Sequence, residues 1–89
     1  MPQMLLERIS VADEEGTVRR FDYYLTVERM TGGLCPWESY GIRVEEQGGG
    51  CAFIRGVTCS RARIRELAEL VIHHRVTPLS LADVVADWL

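Results

Sequence analysis

The clearest pattern in the chain is an alternation of apolar and polar residues between Val18 and Met30. A period of two is typical of a strand with one buried face, because successive side chains point to opposite sides of a sheet. The inward residues are Phe21, Tyr23, Leu25 and Val27, and the outward ones are Arg20, Asp22, Tyr24, Thr26 and Glu28. The pattern predicts a half-buried strand that ends at residues 31–33, followed by a loop over residues 34–39.

Three further segments have the character of strands. Residues 4–11 form a short apolar run that stops at an acidic turn, and residues 40–47 alternate again. Three consecutive glycines, residues 48–50, then allow a tight reversal, because residues without Cβ adopt positive φ freely. Residues 51–58 return as the second arm of a predicted β-hairpin.

Between Cys59 and Arg75 the period changes to that of an amphipathic α-helix. Ser60 is expected to be the N-cap, and the helix is expected to end before Pro78, because a residue preceding proline is pushed out of the α region. One side of this long helix carries Ile64, Leu67, Ala68 and Val71, flanked by Leu70 and Ile72. Such a side is expected to cover a sheet.

A second, short helix is predicted to begin at Ser80, which forms with Asp83 a variant of the capping box. Strands followed by helices predict an α+β fold of a single domain, residues 1–89, with a four-stranded antiparallel sheet in the order ββββαα and both helices on one face. The predicted core joins Phe21, Tyr23, Leu25, Val27, Ile42 and Val44 of the sheet to Ile64, Leu67, Val71, Val84, Val85 and Trp88 of the helices.

Composition narrows the function classes. The 89 residues carry a net charge of −3 with a pI near 5.3, which gives no basic footprint for a nucleic acid. An odd number of cysteines and an N-terminus unlike a signal peptide favour the reducing cytoplasm, and no stretch is apolar enough to span a bilayer. A chain this short buries a thin core, so a homo-oligomer or another protein partner is consistent with it.

Residues with catalytic or metal-binding potential are present, but their spacing is unfavourable. Cys35, Cys51, Cys59 and the pair His73 and His74 include no C-x2-C or H-x3-H arrangement, so neither a metal nor another cofactor is expected. Cys35 with a histidine as base is an alternative that no other motif supports. Catalytic residues are therefore not assigned, and an enzymatic role is disfavoured.

Three arginines, Arg61, Arg63 and Arg65, occupy the start of the long helix, where the helix dipole prefers anions. Together with free backbone N–H groups they offer a candidate site for a phosphate or carboxylate. The alternative is a solvated helix start whose arginines pair with nearby carboxylates, since the three side chains spread around the helix.

A protein interaction surface is the remaining candidate. Helices on one face of a sheet leave the other face to its own side chains, and Tyr24 lies on that outer face. Trp37 is a possible aromatic anchor in the predicted loop, while a place in the core is the alternative for both Trp37 and Trp88.

The second half of the chain resembles a known family. The segment from Tyr40 to Glu45, the long helix and the tail from Val76 to Leu89 are similar to short, uncharacterised proteins of clostridia and related Firmicutes, grouped as a domain of unknown function. The resemblance covers about residues 40–89, and it implies a bacterial, cytoplasmic protein without implying an activity. The sequence hypothesis is a non-enzymatic protein interaction or regulatory module, and the alternative is a domain that binds small anions or nucleotides.

Overall fold

The computed structural model describes residues 2–31 and 37–89. Within them the chain forms four strands and then two helices, which confirms the predicted α+β arrangement. The bounds are β1 (Gln3–Ala12), β2 (Val18–Met30), β3 (Trp37–Glu46), β4 (Cys51–Thr58), α1 (Arg61–His73) and α2 (Leu81–Trp88). The strands form one antiparallel sheet in the order β1-β2-β3-β4.

The register between β2 and β3 sets the face that the helices cover. Pairing runs without interruption from Phe21 opposite Glu46 to Met30 opposite Trp37. Tyr23 therefore lies beside Val44, and Leu25 beside Ile42, all on the inner face of the sheet. The other two pairings are irregular. Between β1 and β2 the register shifts between Leu5 and Glu7, and between β3 and β4 it shifts between Tyr40 and Ile42.

The core lies between this inner face and the two helices. Its buried apolar residues are Phe21, Tyr23, Tyr40, Ile42 and Val44 of the sheet, Ile64, Leu67, Ala68 and Val71 of α1, Val76, and Leu81 and Val85 of α2. Four residues expected in the core, Leu25, Val27, Val84 and Trp88, are only partly buried at its margins. Val76, which the helical and strand patterns did not include, is 6% exposed.

Helix α1 begins as the sequence predicts. The Ser60 hydroxyl accepts a hydrogen bond from the backbone N–H of Arg63 at 3.2 Å, which satisfies a donor that the first turn leaves without a helical partner. The helix ends at His73, two residues earlier than expected. Arg75 has a φ of 50°, and the N–H groups of Arg75 and Val76 bond back to the carbonyls of Ile72 and Val71. These bonds form a Schellman motif, which carries Val76 into the core.

Two local predictions are wrong. Ser80 does not cap α2 with its side chain, and its backbone is already helical, with φ −97° and ψ −13°. The Ser80 hydroxyl instead lies 3.2 Å from that of Thr77. Residues 37–39 belong to β3 rather than to a loop, because their backbone pairs with β2, while residues 34–36 of that predicted loop lie outside the described ranges.

Candidate interaction surface

An apolar groove of about 640 Å³ lies between α1 and the β1 side of the sheet. Its sheet wall is formed by Met4 and Leu6 of β1 and by Leu25 and Val27 of β2, and its helix wall by Ile64, Ala68 and Ile72. Charged residues line its edge: Arg61, Arg65 and Glu69 of α1 and Glu38 of β3. The groove thus combines an apolar floor with a polar rim, which is typical of binding surfaces.

The groove exists because the helices are placed toward the other edge of the sheet. Helix α1 packs on β2, β3 and β4, and α2 packs on β4. The inner face of β1 and of the neighbouring part of β2 is therefore only partly covered: Met4 of β1 is 55% exposed, and Leu6 of β1 and Leu25 and Val27 of β2 are half-buried. Strand β1 is also an edge strand, so one row of its backbone groups has no neighbouring strand among the residues that the structure describes.

Arg61 is held at one end of the groove by groups of β3. Its Nε donates a hydrogen bond to the hydroxyl of Tyr40 at 3.0 Å, and its guanidinium lies 4.0 Å from a carboxylate oxygen of Glu38. The hydrogen bond to Tyr40, together with the charge of Glu38, raises the pKa of Arg61. Tyr40 in turn donates to Glu38 at 3.3 Å. Arg61 therefore closes the groove as part of a local polar network.

The other two arginines of the candidate anion site point elsewhere. The guanidinium group of Arg63 lies over the ring of Trp88, and its central carbon is 4.2 Å from the ring centroid. Its Nη1 is also 3.3 Å from a carboxylate oxygen of Glu66. Arg65 is exposed and lines the groove. The structure thus does not bring the three guanidinium groups together on one ligand position. The anion site stays a prediction that requires these side chains to rearrange.

Tyr24 lies on the outer face of the sheet, away from the groove. Its hydroxyl is 3.5 Å from Asp22, which is itself bound by Arg8 at 2.7 Å. Its pKa is raised by burial and by the nearby carboxylates of Asp22 and Glu45. The concavity next to it, about 580 Å³, is lined mainly by charged and polar residues. Tyr24 is thus placed in an ion-pair network rather than in an apolar patch, and its interaction role stays a prediction.

Trp37 is the first residue of β3 and pairs with Met30 at the end of the sheet. It is 45% exposed, so it is not part of the core. Strand alternation places it on the outer face with Tyr24, opposite the groove. Its role as an aromatic anchor stays a prediction.

The thiols and histidines do not form a chemical site in the described ranges. Cys51 and Cys59 are free and exposed, and the candidate nucleophile Cys35 lies outside those ranges. The rings of His73 and His74 meet edge to face, with their centroids 5.1 Å apart. Over residues 2–31 and 37–89, no three metal-binding side chains converge. The same residues include no helix with the length and apolar character that crossing a bilayer requires.

Sequence reasoning missed the groove. It assigned the inner residues Leu25 and Val27 to the core because a pattern of period two identifies a face without showing what covers it. One signal was present: Met4, Leu5 and Leu6 are consecutive apolar residues, so β1 carries apolar side chains on both faces. In an edge strand such a run indicates apolar surface that the chain itself does not cover.

Fold and groove define a small α+β domain, a four-stranded meander with two helices on one face and an apolar groove left open beside them. The chain belongs to the family of unknown function DUF6514, whose model matches residues 2–89. The match covers nearly all of the chain, whereas the resemblance found in the sequence covers about residues 40–89. Comparisons with curated proteins and with solved structures gave no significant match.

Proposed function

We propose that this domain is a non-enzymatic protein interaction module and that the groove between α1 and β1 is its docking surface. One observation supports the proposal above the others: the half-exposed apolar side chains that line the groove, with charged residues along its rim. Burial of apolar surface is the main driving force of association, at roughly 25 cal/mol per Å² removed from water. A groove of this kind fits an apolar segment flanked by polar residues.

We also place the protein in the reducing cytoplasm of a bacterium, in keeping with its resemblance to clostridial proteins. The odd cysteine count supports this, as do the exposed, free thiols of Cys51 and Cys59.

The test is photo-crosslinking in the cells of origin, with a benzophenone amino acid at one position. Met4 is the test position, since it lines the groove and is 55% exposed. Val18 is the matched control, a strand residue that is 57% exposed and lies outside the groove. A covalent adduct to any protein, a second copy included, is expected at Met4 and not at Val18. No adduct at Met4, or equal adducts at both positions, would contradict the proposal.

A further inference from the structure

We infer that the occupant of the groove is a second copy of this chain, in a two-fold dimer in which the two α1 helices lie antiparallel side by side. The inference rests on the proposed function of the groove and adds the identity of its partner. Three features of the groove support it: the distribution of charge on the rim, the spacing of residues along α1, and the apolar wall that β1 supplies.

The rim carries two opposite charges without a partner. Arg65 and Glu69 are exposed, lie one helical turn apart, and make no ion pair within the described part of the chain. Their order does not favour pairing within the helix, because a basic residue N-terminal to an acidic one is the weaker arrangement at this spacing. Each charge is thus free to meet an opposite charge on another molecule.

Two-fold symmetry matches these charges to each other. In an isologous interface, residue i of one copy meets residue j of the other, and the reverse contact repeats it. With the axis near the middle of α1 and the helices antiparallel, Arg65 faces Glu69 of the partner subunit, and the same pair forms a second time across the axis. The rim is therefore complementary to itself.

The groove side of α1 also has the spacing of a helix-packing seam. Residues 61, 65, 68 and 72 follow one another at intervals of four, three and four, as in antiparallel helix pairs. Ala68, close to the middle, lines the groove but is 5% exposed and packs in the core of its own chain, so contact with a second helix falls on the exposed Arg65 and Glu69. Ile72 adds a half-buried apolar side chain at the end of the row. In such a pair, α1 of the partner lies over the β1 wall and covers Met4 and Leu6.

The sum of charges favours a second copy over a strongly charged foreign segment. Two arginines, Arg61 and Arg65, and two glutamates, Glu38 and Glu69, surround the groove, so its formal charge is zero. A strongly acidic or basic partner gains little from such a rim, whereas alternating signs select a partner with the complementary order.

The experiment uses charge reversal in the full chain, with mass measured by light scattering after size exclusion. Wild type is expected at twice its 10.1 kDa chain mass. In Arg65→Glu, two glutamates face each other at both symmetric contacts, and in Glu69→Arg two arginines do. Each variant is expected to self-associate at least ~10-fold more weakly, since both contacts become repulsive. Circular dichroism checks that the helices of each variant are intact.

Mixing the two single variants tests directly whether residues 65 and 69 of the two chains face each other. The glutamate introduced in one variant then meets the arginine introduced in the other, and the unchanged Arg65 and Glu69 of the two chains meet at the symmetric contact. A heterodimer is therefore expected from two weakly associating chains. The double variant Arg65→Glu with Glu69→Arg is expected to dimerise like wild type. Asp87→Arg, an equal charge change at an exposed position of α2, is the control and is expected to remain dimeric.

Two results would overturn the inference. The first is a wild-type chain that keeps a mass of 10.1 kDa up to a protein concentration of about 1 mM, above which association is too weak to be specific. The second is that the single variants dimerise as well as wild type. Either result leaves the proposed function standing if Met4 still crosslinks to a different protein. Absence of any crosslink at Met4 would contradict both the proposed function and the dimer.

Discussion

The hydroxyl of Tyr23 donates a hydrogen bond to the backbone carbonyl of Val76, with 3.1 Å between the two oxygens. Tyr23 lies in β2 and is 1% exposed, and Val76 is the last residue of the Schellman motif that ends α1. The bond therefore ties the sheet to the segment that connects the two helices. Among the described residues, no backbone N–H reaches this buried carbonyl, so the bond contributes more to stability than an exposed bond of equal length.

Replacing Tyr23 with phenylalanine removes this bond while keeping the ring. The buried carbonyl of Val76 is left without its donor, so we expect the free energy of unfolding to fall by ~1–2 kcal/mol. Urea unfolding at pH 7 measures the change. Tyr24→Phe is the matched control, because its hydroxyl is 3.5 Å from Asp22 on the outer face, and we expect it to stay within ~0.5 kcal/mol of wild type. Equal losses in the two variants would contradict this role of the bond.

The same tyrosine predicts a loss of stability in alkaline solution. Burial raises the pKa of Tyr23 above its ordinary value of about 10. Between that value and the raised one, the unfolded chain has released the proton that the folded chain keeps, so stability decreases as pH rises through this interval. We expect wild type to lose more stability than Tyr23→Phe between pH 9 and the alkaline limit of folding. Parallel curves for the two proteins would contradict the prediction.

Gly41 marks a close approach between strands, where the register of β3 and β4 shifts. A Cβ at this position would overlap the carbonyl oxygen of Ile54 and would lie 2.7 Å from the hydroxyl of Thr26. The first of these is backbone and cannot rotate away, so we expect Gly41→Ala to destabilise by ~1–3 kcal/mol, measured by thermal or urea unfolding. Gly50→Ala is the control, because no atom of the residues that the structure describes lies within 4 Å of the added Cβ. An unchanged stability of Gly41→Ala would show that the strands separate without cost.

Much of this fold follows from local patterns. The alternation in β2, the glycines after β3 and the helical period around Ile64 identify their elements, because each pattern depends on neighbours along the chain. The Ser60 cap is equally local, since the bond joins residues three apart.

The features that sequence reasoning missed depend on contacts between distant residues. Val76 is buried because Arg75 takes a positive φ, a conformation that its residue type does not favour. Leu25 has the pattern of a core residue, yet its burial depends on how far α1 extends toward β1. The groove follows from that placement, and no periodicity encodes it.

On the outer face, the ion pair between Arg8 and Asp22 predicts a dependence of stability on acid. The hydrogen bond from Arg8 lowers the pKa of Asp22, so the carboxylate stabilises the folded state above its ordinary pKa and loses this effect as pH falls through its lowered value. We expect Asp22→Asn to be less stable than wild type at pH 7 and to converge with it in strong acid. The effect should be smaller than that of Tyr23→Phe, because Arg8 is 63% exposed. Glu14→Gln, in the exposed β1–β2 turn, is the control, and equal pH dependence in both variants would contradict the assignment.

The two helix starts allow a direct comparison of two serines. The Ser60 hydroxyl accepts the N–H of Arg63, whereas Ser80 has a helical backbone and its hydroxyl lies 3.2 Å from that of Thr77 without capping α2. We therefore expect Ser60→Ala to lower the free energy of unfolding by ~1 kcal/mol and Ser80→Ala to change it by less than ~0.5 kcal/mol. Urea unfolding of the two variants measures both. If Ser80→Ala cost as much as Ser60→Ala, the capping box that the sequence predicts would form in solution, and the first turn of α2 would differ from the one described.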